Sequence, residues 1–139
     1  LYPDHLVCVT RENHPTIKRA LSQAQFLDAY HVVVYYPEGD MGIVDQLLIQ
    51  RGAQRRKIAM TVPHFITAAF AAGQSDLIAT MNSRVAEHLR RPARVRVLKF
   101  PFESPQMNYG LYWHGRQTAD PAHTWLREVI IDAAKERPR

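Results

Sequence analysis

One strand-to-helix unit decides the fold of this chain: residues 56–73 read RKIAMTVPHFITAAFAAG. The first part is apolar and partly β-branched, and it predicts a strand from Arg56 to Val62. Pro63 suits the first turn of a helix, where its missing N–H group costs nothing. The apolar, alanine-rich run that follows predicts a helix that ends at Gly73, because glycine commonly lies just after a helix C-terminus.

Strands and helices alternate in both directions from this unit. Residues 31–36 form a continuous apolar run, which is typical of a strand covered on both faces, as in a parallel sheet. The predicted order is strand and helix in alternation through residue 99, then a proline-rich segment at 100–105. The last helix of this alternation is predicted at Ser83–Arg90 and is stopped by Pro92. One more strand follows at 108–114, and then a long helix that starts at Asp120 and Pro121. This order predicts an α/β fold with a mainly parallel sheet flanked by helices.

Composition indicates a globular chain without a membrane or secretion signal. The 139 residues are 46% hydrophobic and 22% charged. No apolar run approaches the roughly 20 residues of a membrane span, and the start lacks the regions of a signal peptide. Cys8 is the single cysteine, so we expect a cytoplasmic protein in which Cys8 is a buried apolar residue rather than a reactive thiol. Because the first residue is leucine, we expect the chain to be a piece of a longer protein.

The net charge of +5 is concentrated in two basic clusters, which are Arg51, Arg55, Arg56 and Lys57, and Arg84, Arg90, Arg91, Arg94 and Arg96. Neither cluster contains the interleaved aromatic residues on which nucleic-acid bases stack. The pattern favours a solvated basic face over a nucleic-acid surface, and an anionic ligand is a third interpretation.

No motif in the sequence predicts catalysis. There is no P-loop, and the six glycines form no dinucleotide-binding motif. The seven histidines include no pair at the i, i+4 spacing of a helical metal site, and no serine lies in the strained turn of a hydrolase nucleophile. Glu38 and Asp40 are a carboxylate pair separated by Gly39, and their pattern favours a polar turn and helix start over an acid–base pair. We therefore predict no enzyme activity, no metal site and no cofactor.

The turn at residues 61–65 is the strongest candidate binding feature. The first N–H groups of a helix lack intrahelical partners and attract anions. His64 lies there as a donor and Phe65 as an aromatic surface, so together they suit the carboxylate and the ring of an aromatic acid. The alternative is that His64 is an ordinary surface residue and that Phe65 belongs to the core.

Several motifs together resemble the effector-binding domain of LysR-type transcriptional regulators. They are HLVCVT at 5–10 with HP at 14–15, GIVD at 42–45, VPHFI at 62–66, SDLIAT at 75–80, SRVA at 83–86, and YWH at 112–114 before DP at 120–121. The likeness covers nearly the whole chain. It is strongest to the branch that includes nodulation regulators and regulators of salicylate or nitroaromatic responses. One departure is Asn82, where many relatives carry proline.

The resemblance implies a fold like that of type 2 periplasmic binding proteins, in which two lobes hold an effector between them. It assigns residues 13–101 to a complete second lobe. Residues 1–12 and 102–139 would then be crossing strands and the remnant of a partial first lobe.

The resemblance also implies a site and partners. The site residues that it assigns are His64 and Phe65, Pro63 as the residue that shapes the turn, and Tyr36, Met41 and Thr10. The effector would be a small aromatic or acidic molecule. DNA would be bound only through an N-terminal winged helix-turn-helix domain that this chain lacks, and the whole regulator would be a homodimer or homotetramer. A solute-binding protein of a transport system is the alternative function.

Overall fold

The structure is a computed structural model, and it describes residues 1–35 and 42–135. In these ranges the strands and helices are, in chain order, β1 (Tyr2–Asp4), β2 (Leu6–Arg11), α1 (Gln23–Asp28), β3 (Tyr30–Val34), α2 (Ile43–Gln50), β4 (Lys57–Val62), α3 (Phe65–Gly73), β5 (Ile78–Asn82), α4 (Ser83–Arg90), β6 (Val95–Lys99), β7 (Met107–Tyr109), one turn of 3-10 helix (Gly115–Gln117) and α5 (Pro121–Lys135). Strand and helix alternate from β2 to β6, and the prediction of an α/β fold is confirmed.

The chain divides into two compact units. The larger unit runs from Leu6 to Pro105, and the smaller unit combines Leu1–His5 with the chain from Gln106 onward. The larger unit is wider than the 13–101 range expected for the second lobe. The main reason is that β2, expected within 1–12 as a crossing strand, is hydrogen-bonded inside the sheet of the larger unit. The division into a complete and a partial lobe stays a prediction.

The larger unit is built on a five-stranded sheet in the order β4-β3-β5-β2-β6. β3 pairs in parallel with β4 and β5, whereas β2 pairs antiparallel with β5 and β6. The sheet is therefore mixed, and the expectation of a mainly parallel sheet is replaced by one in which β2 runs against both of its neighbours. Alternation of strands and helices predicts the parallel crossovers that follow β3, but it does not determine the direction of the first strand. We call the end of the sheet at which β3, β4 and β5 finish the carboxyl end, and the opposite end the amino end.

Small apolar side chains form the core between the sheet and the helices α3 and α4. The buried members are Val7, Val9, Val32, Val62, Ala68, Ala69, Ala72, Ala79, Met81, Ala86, Ala93 and Val95. Alanines on α3 allow the helix to approach the sheet closely, and a Cβ atom at Gly73 would lie 2.0 Å from the carbonyl oxygen of Ala93. This close approach explains why residue 73 is glycine, although the backbone conformation at that position does not require glycine.

Aromatic rings pack on the other face of the sheet. The ring of Phe26, from α1, lies 4.5 Å from the ring of His31 and 5.6 Å from the rings of Phe100 and Phe102. His31 neighbours Val32 along β3, and successive side chains of a strand point to opposite faces, so this aromatic cluster lies across the sheet from the alanine-rich core. Both faces of the sheet are thus covered, as the apolar run at 31–36 predicts.

Local signals in the sequence set several helix ends. Ser22 and Gln25 form a capping box at the start of α1, since the Ser22 hydroxyl accepts the Gln25 N–H at 3.1 Å and the Gln25 side chain accepts the Ser22 N–H at 3.0 Å. Gly52 has a φ of 61° after α2, as a glycine at a helix end commonly does. The Asp120 carboxylate accepts the His123 N–H at 2.9 Å, as the predicted start of the last helix requires.

Two expected element bounds are wrong. α3 begins at Phe65, and its N-cap residue is His64, so Pro63 precedes the helix rather than forming its first turn. The strand expected at 108–114 is shortened to β7, because the chain after Tyr109 turns away into the 3-10 turn.

The smaller unit contains one antiparallel strand pair and α5. β1 pairs with β7, and the rings of Tyr2 and Tyr109 stack at 5.0 Å. None of the helices in the described ranges combines the length and the apolar character that a membrane crossing needs.

Candidate functional site

The carboxyl end of the sheet brings two strand-to-helix turns together. Val34 pairs with Val62, and the register of β3 with β5 places Val34 level with Met81. α3 therefore starts just beyond β4, and α4 starts just beyond β5, two strand positions away. Neighbouring strands lie about 4.8 Å apart, so the two turns are separated by about 10 Å.

His64 occupies the N-cap position of α3 in an extended conformation, with φ −139° and ψ 148°. Its backbone carbonyl accepts the Ala68 N–H at 3.1 Å, but its side chain makes no capping hydrogen bond. The imidazole is exposed. The first N–H groups of α3 therefore receive no acceptor from the residue that usually supplies one, and the His64 ring is available to a ligand beside them.

Phe65 and Pro63 flank His64. Phe65 is half-buried and packs against the alanine-rich core. One part of its side chain therefore belongs to the core, and the other part is open to solvent. Pro63 is exposed, and its fixed φ restricts the turn that carries the chain from β4 to His64. The structure thus brings Pro63, His64 and Phe65 together at one turn.

Thr10 lies elsewhere. It is a residue of β2 and pairs with Arg96 of β6 near the amino end of the sheet, and it is fully buried. Its hydroxyl has no hydrogen-bond partner among the described residues. A ligand at His64 would not reach Thr10, and we leave Thr10 out of the candidate site. Tyr36 and Met41 lie outside the described residues.

Two further residues at the carboxyl end were not among the predicted site residues. Tyr35 follows β3, is 60% exposed, and donates its backbone N–H to the Val62 carbonyl at 2.8 Å. Asn82 ends β5 and is the N-cap residue of α4, so it begins the second helix at this end. The departure from proline at Asn82 signalled that this turn differs from that of many relatives. Tyr35 gave no such signal, because it looked like part of the apolar strand.

An ion pair with a buried arginine lies at the start of β4, which is the amino end of the sheet. Arg56 donates to both carboxylate oxygens of Asp45, with Nε to Oδ1 at 2.9 Å and Nη2 to Oδ2 at 2.6 Å. The Arg56 side chain is 6% exposed and the Asp45 side chain is 21% exposed, so this bidentate pair joins α2 to the start of β4 with only the carboxylate partly open to water.

Burial changes the acid–base behaviour of two side chains in the larger unit. Burial lowers the pKa of His31 to about 4, and the positive charge of Arg56 acts in the same direction. Burial also raises the pKa of the Cys8 thiol to about 12, against a hydrogen bond with Thr80 at 3.7 Å. Cys8 is therefore an unreactive buried thiol at neutral pH, as the sequence predicts.

An exposed ion pair perturbs two more groups. The Lys57 ammonium lies 2.6 Å from the Asp28 carboxylate, and this contact lowers the pKa of Asp28 and raises the pKa of Lys57. Surface pairs of this kind contribute little to stability, because water screens them.

An open polar depression of about 340 Å³ lies at the amino end of the sheet, lined by Arg11, Gly73, Gln74, Ser75 and Asp76. Arg11 and Asp76 neutralise each other across 2.6 Å. Within residues 1–35 and 42–135, no group of three or more histidine, cysteine or acidic side chains is arranged to hold a metal ion.

Comparison with known proteins gives a consistent result. The profile of the LysR substrate binding domain matches residues 1–135. The chain is 33% identical to the HTH-type transcriptional activator NagR of Ralstonia sp, over 98% of this chain and 45% of that protein. It is 31% identical to the activator NahR of Pseudomonas putida, over 95% of this chain and 44% of that protein. The chain thus spans less than half of the length of these relatives.

A solved structure agrees with the sequence matches. The regulatory domain of MexT, a transcriptional activator of Pseudomonas aeruginosa, superimposes with a TM-score of 0.73 at 26% identity, over 93% of this chain and 63% of that one.

Proposed function

The chain belongs to the LysR substrate-binding domain family, and from this premise we propose that it senses a small anionic effector at the carboxyl end of its sheet. The observation that carries the proposal is the turn at Pro63, His64 and Phe65, where an exposed imidazole stands beside a helix start that it does not cap. The sensor would control transcription through a DNA-binding domain outside this chain.

An anion is the ligand that suits this turn. α3 has nine residues, and the aligned peptide dipoles give its N-terminus a partial positive charge. Its first N–H groups point away from the helix and can donate to a carboxylate, while the His64 ring can add a further donor. The exposed part of Phe65 and the ring of Tyr35 supply apolar surface nearby, which favours an aromatic acid over a small inorganic anion.

Control of transcription requires that the effector prefer one state of the regulator. A ligand shifts a two-state equilibrium only by its differential affinity, and a tenfold shift requires about 1.4 kcal/mol. We propose that the effector supplies this difference in the whole regulator, acting as a homodimer or homotetramer. The relatives are transcriptional activators, so no finding favours the alternative of a transport solute-binding protein.

Isothermal titration calorimetry with salicylate and salicylamide tests the site. We expect salicylate to bind more tightly than salicylamide, because only salicylate carries the carboxylate. His64→Ala should weaken salicylate binding about threefold to tenfold, which is the size of one helix-terminus or charged hydrogen-bond contribution.

Two control variants separate the site from the rest of the chain. His88→Ala removes another exposed histidine on α4 and should leave the affinity unchanged, as should Thr10→Val in the core. Equal affinities of the parent chain and His64→Ala for salicylate would remove His64 from the site.

A further inference from the structure

The positive charge of this chain is concentrated in one segment. Residues 84–99 carry six arginines or lysines and one glutamate, a net charge of +5, which is the net charge of the whole chain. The other 12 basic and 12 acidic residues cancel. The segment is α4, the loop after it and β6, and it does not include the effector turn proposed above.

Three arginines of this segment lie near the amino end of the sheet. Arg91 and Arg94 lie in the exposed loop between α4 and β6, and the Arg94 N–H donates to the Arg91 carbonyl at 3.2 Å. Arg96 follows on β6, which is an outer strand of the sheet, and it is half-buried. We call Arg91, Arg94 and Arg96 the arginine cluster.

The fold holds the loop of the cluster in a fixed shape. Arg94 has a φ of 53°, a left-handed conformation that costs a residue with a Cβ about 1 kcal/mol or more. The preceding residue, Ala93, is buried, and its carbonyl packs against Gly73. Two arginines are thus displayed on a tight, anchored turn rather than on a free loop.

The cluster has no acidic partner within the described part of the chain. The single carboxylate of the segment is that of Glu87. It lies 3.8 Å from the Arg90 guanidinium, and Arg90 is not a member of the cluster. Favourable interaction with the C-terminal dipole of α4 accounts for basic residues at the end of that helix, such as Arg90 and Arg91. It does not account for Arg94 and Arg96, which follow the helix.

We propose that the arginine cluster binds the phosphate backbone of a nucleic acid. The guanidinium group presents a planar set of donors that matches phosphate oxygens, and backbone binding is electrostatic and independent of base sequence. The lack of interleaved aromatic residues argues against stacking on the bases of a single strand, as the sequence indicates, but binding to the phosphate backbone of a duplex does not require stacking. This contact goes beyond effector sensing and does not depend on it.

Fluorescence anisotropy of a labelled duplex of about 20 base pairs, at several salt concentrations, measures the contact. Each phosphate contact adds about −0.9 to the slope of log K against log salt concentration. The double variant R91Q/R94N should reduce the slope of the chain by about 2, and should weaken binding at least about tenfold at low salt. Asparagine is used at position 94 because it tolerates the left-handed conformation.

The matched control is R19Q/R55Q, which removes the same charge from two exposed arginines outside the segment. Binding should change less than about twofold in this variant. Circular dichroism melting of both variants checks that the fold is kept. The proposal is overturned if the two double variants weaken binding equally, if the parent chain does not bind DNA at low salt, or if it binds polyglutamate of equal charge more tightly than DNA.

Discussion

At the scale of single residues, His31 is the clearest case of a side chain whose chemistry is set by its surroundings. Its Nε2 atom lies 2.7 Å from the Phe26 carbonyl, so this nitrogen carries the proton and donates it. Its Nδ1 atom is buried without a partner among the described residues. A second proton on Nδ1 would place a charge inside the sheet without an acceptor, which is why the pKa is low.

The low pKa predicts a loss of stability in mild acid. His31 has a pKa of about 4 in the folded chain against an ordinary value of 6.5, so the unfolded chain binds the proton more strongly. Stability is therefore kept above pH 6.5 and is lost as the pH falls toward 4. Linkage gives a loss of about 2 kcal/mol between pH 7 and pH 5.

Urea unfolding of the parent chain and of His31→Gln, at both pH values, measures this loss. Glutamine can donate a hydrogen bond but does not titrate, and the other histidines are common to both proteins. The variant should therefore lose about 2 kcal/mol less than the parent chain. An identical pH dependence of the two proteins would show that His31 is not the group responsible.

Residue types predicted part of the candidate site. The pattern at Pro63, His64 and Phe65 located a strand-to-helix turn, because local sequence determines such turns. Thr10 could not be placed in the same way, since its distance from His64 depends on the direction of β2. That direction is fixed by pairing with β5 and β6, which are distant in the sequence.

At the scale of elements, the close approach of α3 to the loop before β6 depends on Gly73. A Cβ atom at this position would lie 2.0 Å from a backbone oxygen that cannot move without shifting the loop. Gly73→Ala should therefore lower the free energy of unfolding by at least about 2 kcal/mol, as overpacked sites commonly do.

Gly115→Ala is the matched control, because a Cβ atom at Gly115 would have nothing within 4 Å. Its effect on the free energy of unfolding should stay within about 0.5 kcal/mol. Chemical denaturation of both variants makes the comparison. A Gly73→Ala variant as stable as the parent chain would contradict the close contact.

The elements themselves were largely predictable, whereas their ends were less so. Ser83–Arg90 has the bounds expected from the sequence, because its apolar spacing and the following Pro92 are local signals. The strand expected at 108–114 was too long, since its tyrosines and tryptophan favour a strand only where a partner strand is present. β1 has three residues, and they pair with Met107, Asn108 and Tyr109.

At the scale of the whole molecule, the two units differ in how much they bury. α5, in the smaller unit, has no buried residue, and Trp125 is 65% exposed. β2, in the larger unit, has five buried residues in succession. Local stability follows burial, so the two segments should open with different free energies.

Hydrogen–deuterium exchange followed by mass spectrometry measures this difference. We expect backbone amides in α5 to exchange at least about 100 times faster than those in β2, because few buried contacts oppose their opening. Exchange of both segments in one cooperative step at the same rate would show instead that the two units unfold together.

The hydrogen bond between Leu6 and Ser104 has a consequence for protein engineering. The Leu6 N–H donates to the Ser104 hydroxyl at 2.9 Å, so the first residue of the larger unit lies next to its second-last residue, and the two ends of the unit are close in space. A segment whose ends meet can be spliced as a cassette into a surface loop of a host protein without stretching the host backbone. The same proximity would allow its ends to be joined by a short linker and the chain to be reopened at another loop, giving a circular permutant that keeps the five-stranded sheet.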